Sequence, residues 1–240
     1  MQYLALMFDA PLQSWGFASR FRRRTTGPHP TKSGVVGLLC AALGLAKGSA
    51  EERQWLPRLS ALQMTIVTIP RTRPEERHQA AEAELPLRYL EDFHTVEGTR
   101  RASGSPNPDP VPTRRQYLMD ACFGVLLAGE DEEVLVRAAK AVRNPVWGVW
   151  FGRKCCLPAA PLYRAGPCDE AAAWHVLIGG KPRNQVRRVE EAAEFAAGTD
   201  TLNDQPHSFG TADSSGPELR KFVPRRVCIV HRSEVEDRQA

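Results

Sequence analysis

Arg20, Arg22, Arg23 and Arg24, with Lys32 a few residues on, concentrate cations in one stretch that also carries Trp15, Phe17 and Phe21. Guanidinium groups fork onto phosphate oxygens and neutralise several backbone charges together, so this loop reads as a grip for a polyanion. The interleaved aromatic rings offer flat faces on which the splayed bases of single-stranded RNA stack. Two later segments repeat the combination. His94, Arg100, Arg101, Arg114 and Arg115 are placed at the base of a polar, Pro-rich insertion, and Arg153 and Lys154 follow Trp147 and Trp150. With Gln13 and Ser33 beside the first loop, these residues form the candidate RNA-binding set.

Catalytic chemistry is thinner. His29, His94 and Tyr117 are the group to consider for metal-independent RNA cleavage: a histidine to move the 2′-hydroxyl proton, and Lys32 or an arginine to stabilise the phosphorane. Nothing in their spacing requires them to meet. The segment Pro30–Gly34 (PTKSG) is not a phosphate-binding P-loop, because the two positions that must be glycine hold Thr26 and Thr31. Of the six cysteines, Cys40 and Cys122 sit in apolar runs and read as core. The spacing of Cys155, Cys156 and Cys168 matches no zinc pattern, so neither a metal nor a cofactor is expected.

The 240 residues suffice for one large core or two modest ones, and a net charge of +4 names no partner by itself. Lysine occurs only at 32, 47, 140, 154, 181 and 221 among 32 basic residues. A GC-rich genome alone produces such an arginine excess, so clustering carries the argument. Tyr3 to Phe8 is too short to span a membrane and is closed by Asp9 and Pro11, which predicts a cytoplasmic protein with reduced thiols.

The elements that would position these residues follow from periodicity. Residues 2–8 read as a buried strand, and Thr31 or Ser33 caps a helix with Val35, Leu38, Leu39, Ala42 and Leu43 at helical spacing. Its amino end should offer free amides to an anion beside the arginine loop, and Gly34 and Gly37 should admit a backbone or ligand. Residues 61–70 read as a strand, and 71–115 as a protruding insertion with a disordered tip near Gly104 to Pro112. Tyr117–Leu127 follows as a strand, Asp131 caps a helix, and Val146–Phe151 is a strand. The order is the split βαβ, ferredoxin-like plan of an α+β protein. Trp174–Ile178, Val186–Val189 and Val223–His231 are candidate strands, Gly198–Gly216 a loop, and 164–240 a small β-rich domain or an extension of the sheet.

The segments APLQSWG, RTTGPHPTKSGVVGLLCAALGL, DFHTV, RRQYLMDACFGVLL and WFGRKCCLPAAPLY, in that order over residues 1–163, resemble the CasD family of repeat-associated mystery proteins. Members are subunits of the type I-E CRISPR surveillance complex, Cascade. The resemblance implies a ferredoxin-like (RRM-like) core over 1–163 with a β-hairpin thumb at about 85–116, and a separate C-terminal region over 164–240. It implies one copy per complex, gripping the 5′ handle of the guide crRNA beside the backbone subunit CasC and the large subunit CasA. Target DNA would be met only through the complex, and no membrane is involved. In this branch the subunit does not cut RNA; the relative in type I-C systems does, with a Tyr in the first helix and a Lys-His pair. Here the first helix has no Tyr and the chain no Lys-His dipeptide, so the chain is expected not to be an enzyme. The rival reading from the residues is an endoribonuclease processing CRISPR repeat RNA without metal.

Overall fold

The computed structural model describes residues 1–16, 23–74, 82–101, 103–210, 212–213, 216–217 and 220–232. β1 (Gln2–Asp9) is apolar without alternation because both its faces are covered. Leu4, Leu6 and Phe8 enter the main core, whereas Ala5, flanked by Tyr3 and Met7, faces a second, smaller cluster. Short strands β2 (Leu12–Gln13) and β3 (Arg23–Arg24) follow. α1 (Lys32–Leu43) starts at Thr31, whose hydroxyl accepts the Gly34 amide at 3.2 Å, and ends at Gly44.

A helix that the periodicity reading lacked comes next, α2 (Ala50–Ala61). Its start is a variant of the capping box: Ser49 Oγ accepts the Glu52 amide at 3.0 Å, and the Glu52 carboxylate reaches past the cap to accept the Gly48 amide at 2.6 Å. β4 (Gln63–Thr68) falls inside the expected 61–70. The insertion contains β5 (Arg71–Pro74) paired with β6 (Glu82–Leu85). β7 (Arg88–Val96) then pairs antiparallel with β8 (Val111–Met119) along its whole length. The hairpin tip is a hydrogen-bonded turn, with Gly104 donating to the Arg101 carbonyl at 2.8 Å and Asn107 to that of Thr99 at 2.8 Å.

Tyr117–Leu127 is two strands, not one. Asp120, at φ 50°, turns the chain, so β8 ends at Met119 and β9 (Cys122–Gly129) begins beyond it. α3 (Glu132–Arg143) is capped by Asp131 and buries Val134, Leu135, Ala138, Ala139 and Val142. Val146–Phe151 is not a strand. Val146 and Trp147 donate their amides to Ala42 and Ala41 carbonyls at 2.9 and 3.3 Å, so the segment satisfies the open end of α1 instead of a ladder. The strand that pairs with the far side of β1 is β10 (Tyr163–Cys168).

Trp174–Ile178 is helical too, within α4 (Glu170–Ile178), because Asp169 caps it and Ala173, Trp174 and Leu177 cover the second sheet face. β11 (Arg188–Glu191) follows, and β12 (Asp200–Ser208) replaces part of the expected loop. After β13 (Ala212–Asp213) and β14 (Gly216–Pro217), β15 (Lys221–Val230) ends the described strands.

Seven strands form one sheet in the order β10-β1-β9-β4-β11-β15-β12, each neighbouring pair antiparallel. Side chains of α1, α2 and α3 join the main core, and those of α4 the other cluster. β11, β15 and β12 thus continue the sheet begun by the first half of the chain. A smaller sheet hangs from β8, with β7 on one edge and β2 and β3 on the other. Among the described residues no helix is long and apolar enough to cross a membrane.

Candidate nucleic-acid interface

Three of the expected RNA contacts are part of the fold. Trp15 is only 1% exposed and packs with Phe8 and Phe151, ring centroids 5.8 and 5.9 Å away. Its indole N–H donates to Gln13 Oε1 at 2.9 Å, while Gln13 Nε2 donates to the Phe8 and Ala121 carbonyls at 2.9 and 2.7 Å. Gln13, fully buried, therefore holds the end of β1, the β8–β9 turn and the indole together. A Cβ on Gly34 would lie 2.9 Å from the Trp15 ring, so this glycine admits the indole, not a ligand. At Gly152 a Cβ would fall 1.7 Å from the Ser14 carbonyl oxygen, which leaves glycine alone able to close that turn.

Lys32 is the third. Its ammonium donates to both Glu191 oxygens at 2.8 Å, buried beside a second pair in which Arg225 donates to Asp204 at 2.6 and 3.0 Å. Asp204 also accepts the Lys32 amide at 2.7 Å, and Glu191 the Met64 amide at 3.1 Å. The amino end of α1 was expected to receive an outside anion; the chain supplies its own, from β12. Burial pushes the Lys32 pKa down, against the pull of Glu191. Two cations and two carboxylates cancel, which is the arrangement a buried ionic cluster requires.

The remaining candidates are nearer the surface. Arg23 and Arg24 stand in parallel register with Arg114 and Arg115. The side chains of Arg23 and Arg114 are 68% and 64% exposed, and both reach Glu91, at 3.4 and 3.1 Å. Gln116 Nε2 also donates to Glu91, at 3.4 Å. The Arg114 hydrogen bond, aided by Arg23 and Gln116, holds the Glu91 carboxyl below its ordinary range. Arg115 donates to Thr113 Oγ1 at 3.2 Å, and His94 pairs with Asp92. Arg153 uses its guanidinium on the Gln116 and Arg24 carbonyls, at 2.8 and 3.0 Å, over the Tyr117 ring, so it stitches β3 to β8. Lys154 is exposed, with its ammonium 5.7 Å from the Trp150 ring centroid, and Ser33 is half-buried beside Thr31. Arg100 and Arg101 lie at the hairpin tip, not at its base, since Arg100 bridges Pro106. Arg20, Arg22, Phe17 and Phe21 lie outside the described residues.

Spacing along the hairpin separates the histidines. His29 lines a cavity of about 320 Å³ at the hairpin root, together with Arg88 and Met119, whereas His94 faces Thr113 across the ladder. Six strand residues from Met119 to Thr113 amount to roughly 20 Å. Tyr117 is buried, its hydroxyl 3.6 Å from Cys155 Sγ. Among the described residues no cluster of three or more His, Cys, Asp or Glu is arranged to hold a metal.

Phe93 and Tyr89, missed in the sequence, are 64% and 50% exposed on β7. Alternation along β7 and pairing with Arg114 and Leu118 put them on the face that carries Glu91, Arg23 and Gln116. The signal was present in RYLEDFHTV, whose aromatic residues alternate with charges on what only the register identifies as one face.

A family model described as CRISPR-associated protein (Cas_Cas5) matches residues 3–228. The chain is 31% identical over 219 residues to the CRISPR system Cascade subunit CasD of Escherichia coli (strain K12), covering 88% of this chain and 93% of that protein. A chain from a CRISPR RNA-guided surveillance complex superposes with a TM-score of 0.68 at 25% identity, covering 95% of this chain and 89% of that one. A second structure, described as a Cas protein, gives 0.59 at 29% identity, covering 96% and 95%.

Proposed function

This chain belongs to the CRISPR-associated protein (Cas_Cas5) family, and from that premise we propose that it is a non-catalytic subunit of a type I-E Cascade that binds the 5′ handle of the crRNA. In this reading it caps the backbone in the cytoplasm, beside CasC and CasA, and meets target DNA only through the complex. The observation that carries the reading is the outer face of the β7–β8 hairpin. There Arg23 and Arg114, brought side by side by the parallel β3–β8 pairing, stand next to exposed Phe93 and Tyr89. Exposed guanidiniums beside exposed rings are what a single strand needs: charge for its backbone and π-faces for its bases.

We take this hairpin as the thumb and the order β10-β1-β9-β4, with α1 and α3 as crossovers, as a ferredoxin-like βαββαβ core. His29 in the cavity at the hairpin root and His94 farther along the ladder support a binding role over cleavage, because an acid and a base must both come within hydrogen-bond reach of one phosphate.

The test is affinity purification of the tagged protein co-expressed with its neighbouring genes and a repeat–spacer array, with the bound RNA sequenced. Guide-length RNA with a uniform repeat-derived 5′ end, arriving with several other proteins, is the expected result. A protein that comes down alone and trims added repeat RNA in chelator refutes the proposal and favours the endoribonuclease.

A further inference from the structure

The contact of Glu91 with Arg23, Arg114 and Gln116 does more than fill a surface. Three side chains from two strands converge on one carboxylate: Arg114 on Oε1, Arg23 and Gln116 on Oε2. Two oxygens of one anion, each met by a guanidinium, reproduce how two arginines hold the non-bridging oxygens of a phosphodiester. Each arginine gives Glu91 only one of its five N–H groups and stays mostly exposed. Directly across the ladder from Arg114 stands Phe93, with its ring in solvent. An aromatic side chain left 64% exposed next to paired cations adds little to the packing of this fold.

The geometry points to a single-nucleotide subsite on the thumb, with phosphate on Arg23 and Arg114 and the base on Phe93, in which Glu91 occupies the phosphate position until RNA displaces it. Glu91 is then a resident competitor: every strand that enters the subsite must first expel a carboxylate held by two cations. The inference rests on the RNA-binding reading above, and deepens it by naming one subsite and its resident competitor.

The test uses the full-length protein and fluorescence anisotropy with two labelled single-stranded RNAs of equal length, the repeat-derived handle and a scrambled sequence, over a range of salt concentrations. Glu91→Gln is expected to tighten both RNAs several-fold with an unchanged log–log salt slope, because the same phosphate is neutralised in both complexes once Glu91 is displaced. Glu97→Gln, which removes a charge from the same hairpin away from the arginine pair, should change affinity by much less. In an Arg114→Ala background the gain from Glu91→Gln should largely vanish, and Phe93→Ala should weaken both RNAs about tenfold. All variants alter exposed side chains, and unchanged thermal unfolding confirms that they fold.

No tightening by Glu91→Gln, or an equal gain from Glu97→Gln, overturns the subsite. If wild type prefers the handle and Glu91→Gln has no effect, the subsite falls while the handle reading stands. Equal binding of both RNAs with a gain in Glu91→Gln keeps the subsite and removes handle recognition. If no variant binds RNA, both fall.

Discussion

Two ionic clusters in this molecule use the same chemistry in opposite ways. At the amino end of α1, Lys32 and Arg225 are enclosed with Glu191 and Asp204, and the charges cancel within the fold. Beside the β7–β8 hairpin, Arg23 and Arg114 share one carboxylate, Glu91, in solvent. Burial makes the first cluster structural: each charge there needs its partner, and none is available to a ligand. Exposure makes the second weak as a stabiliser and ready for exchange, because a surface ion pair contributes only about 0–1 kcal/mol. A basic residue in this chain is therefore informative about RNA only once its depth is known.

The sharpest way to break the contrast is to remove one charge from the buried cluster. Lys32→Ala removes the ammonium that both Glu191 oxygens accept, leaving two enclosed carboxylates to one cation, and should cost about 3–5 kcal/mol, read as a lowered midpoint in urea unfolding. Any remaining folded protein should keep its RNA affinity. The converse is Arg23→Ala with Arg114→Ala. Unfolding should move by no more than about 0.5 kcal/mol, whereas each lost charged hydrogen bond to phosphate should cost RNA binding about 1–3 kcal/mol in a titration.

Between these lies Gly34→Ala, whose methyl group would press on the Trp15 ring at 2.9 Å. Overpacking of this kind should destabilise by about 1–3 kcal/mol, seen in thermal unfolding, with RNA affinity again unmoved. The smallest effect concerns His29, whose pKa burial lowers from 6.5, the hydrogen bond to the Pro30 carbonyl and the nearby Asp204 only partly opposing this. Below pH 6.5 the unfolded chain takes up the proton more readily than the folded one, so stability should decline on acidification through that window. His29→Gln should flatten this decline in unfolding curves measured between pH 7 and 5.

Much of the architecture was legible along the chain. β1, α1 with its Thr31 cap, β4 and α3 with its Asp131 cap all follow from periodicity and capping residues. α2 left a usable signal, the Ser49-x-x-Glu52 box, although its apolar stripe is sparse and Pro57 interrupts the pattern. Trp174–Ile178 and Val146–Phe151 misled for one reason. A short apolar run has no period of its own, and whether it becomes helix, strand or irregular backbone depends on the surface awaiting it. For the first that surface is the second face of the sheet, and for the second the open carbonyls of α1.

The sequence by itself determined where cations and rings concentrate, because charge and aromatic character are properties of single residues. It also determined the local starts and stops of helices, since a cap is a contact over three positions. Depth was decided only by the tertiary structure. Lys32 and Trp15 sit in the same basic, aromatic stretch as Arg23 and Arg24, yet the first two are enclosed and the last two are in solvent. Residues more than a hundred positions away make that difference: Glu191 and Asp204 receive the lysine, and Phe151 covers the indole. Register did the same for the hairpin, since only the β3–β8–β7 pairing sets Arg23, Glu91, Phe93 and Arg114 on one face. Such long-range pairing leaves no trace in local periodicity.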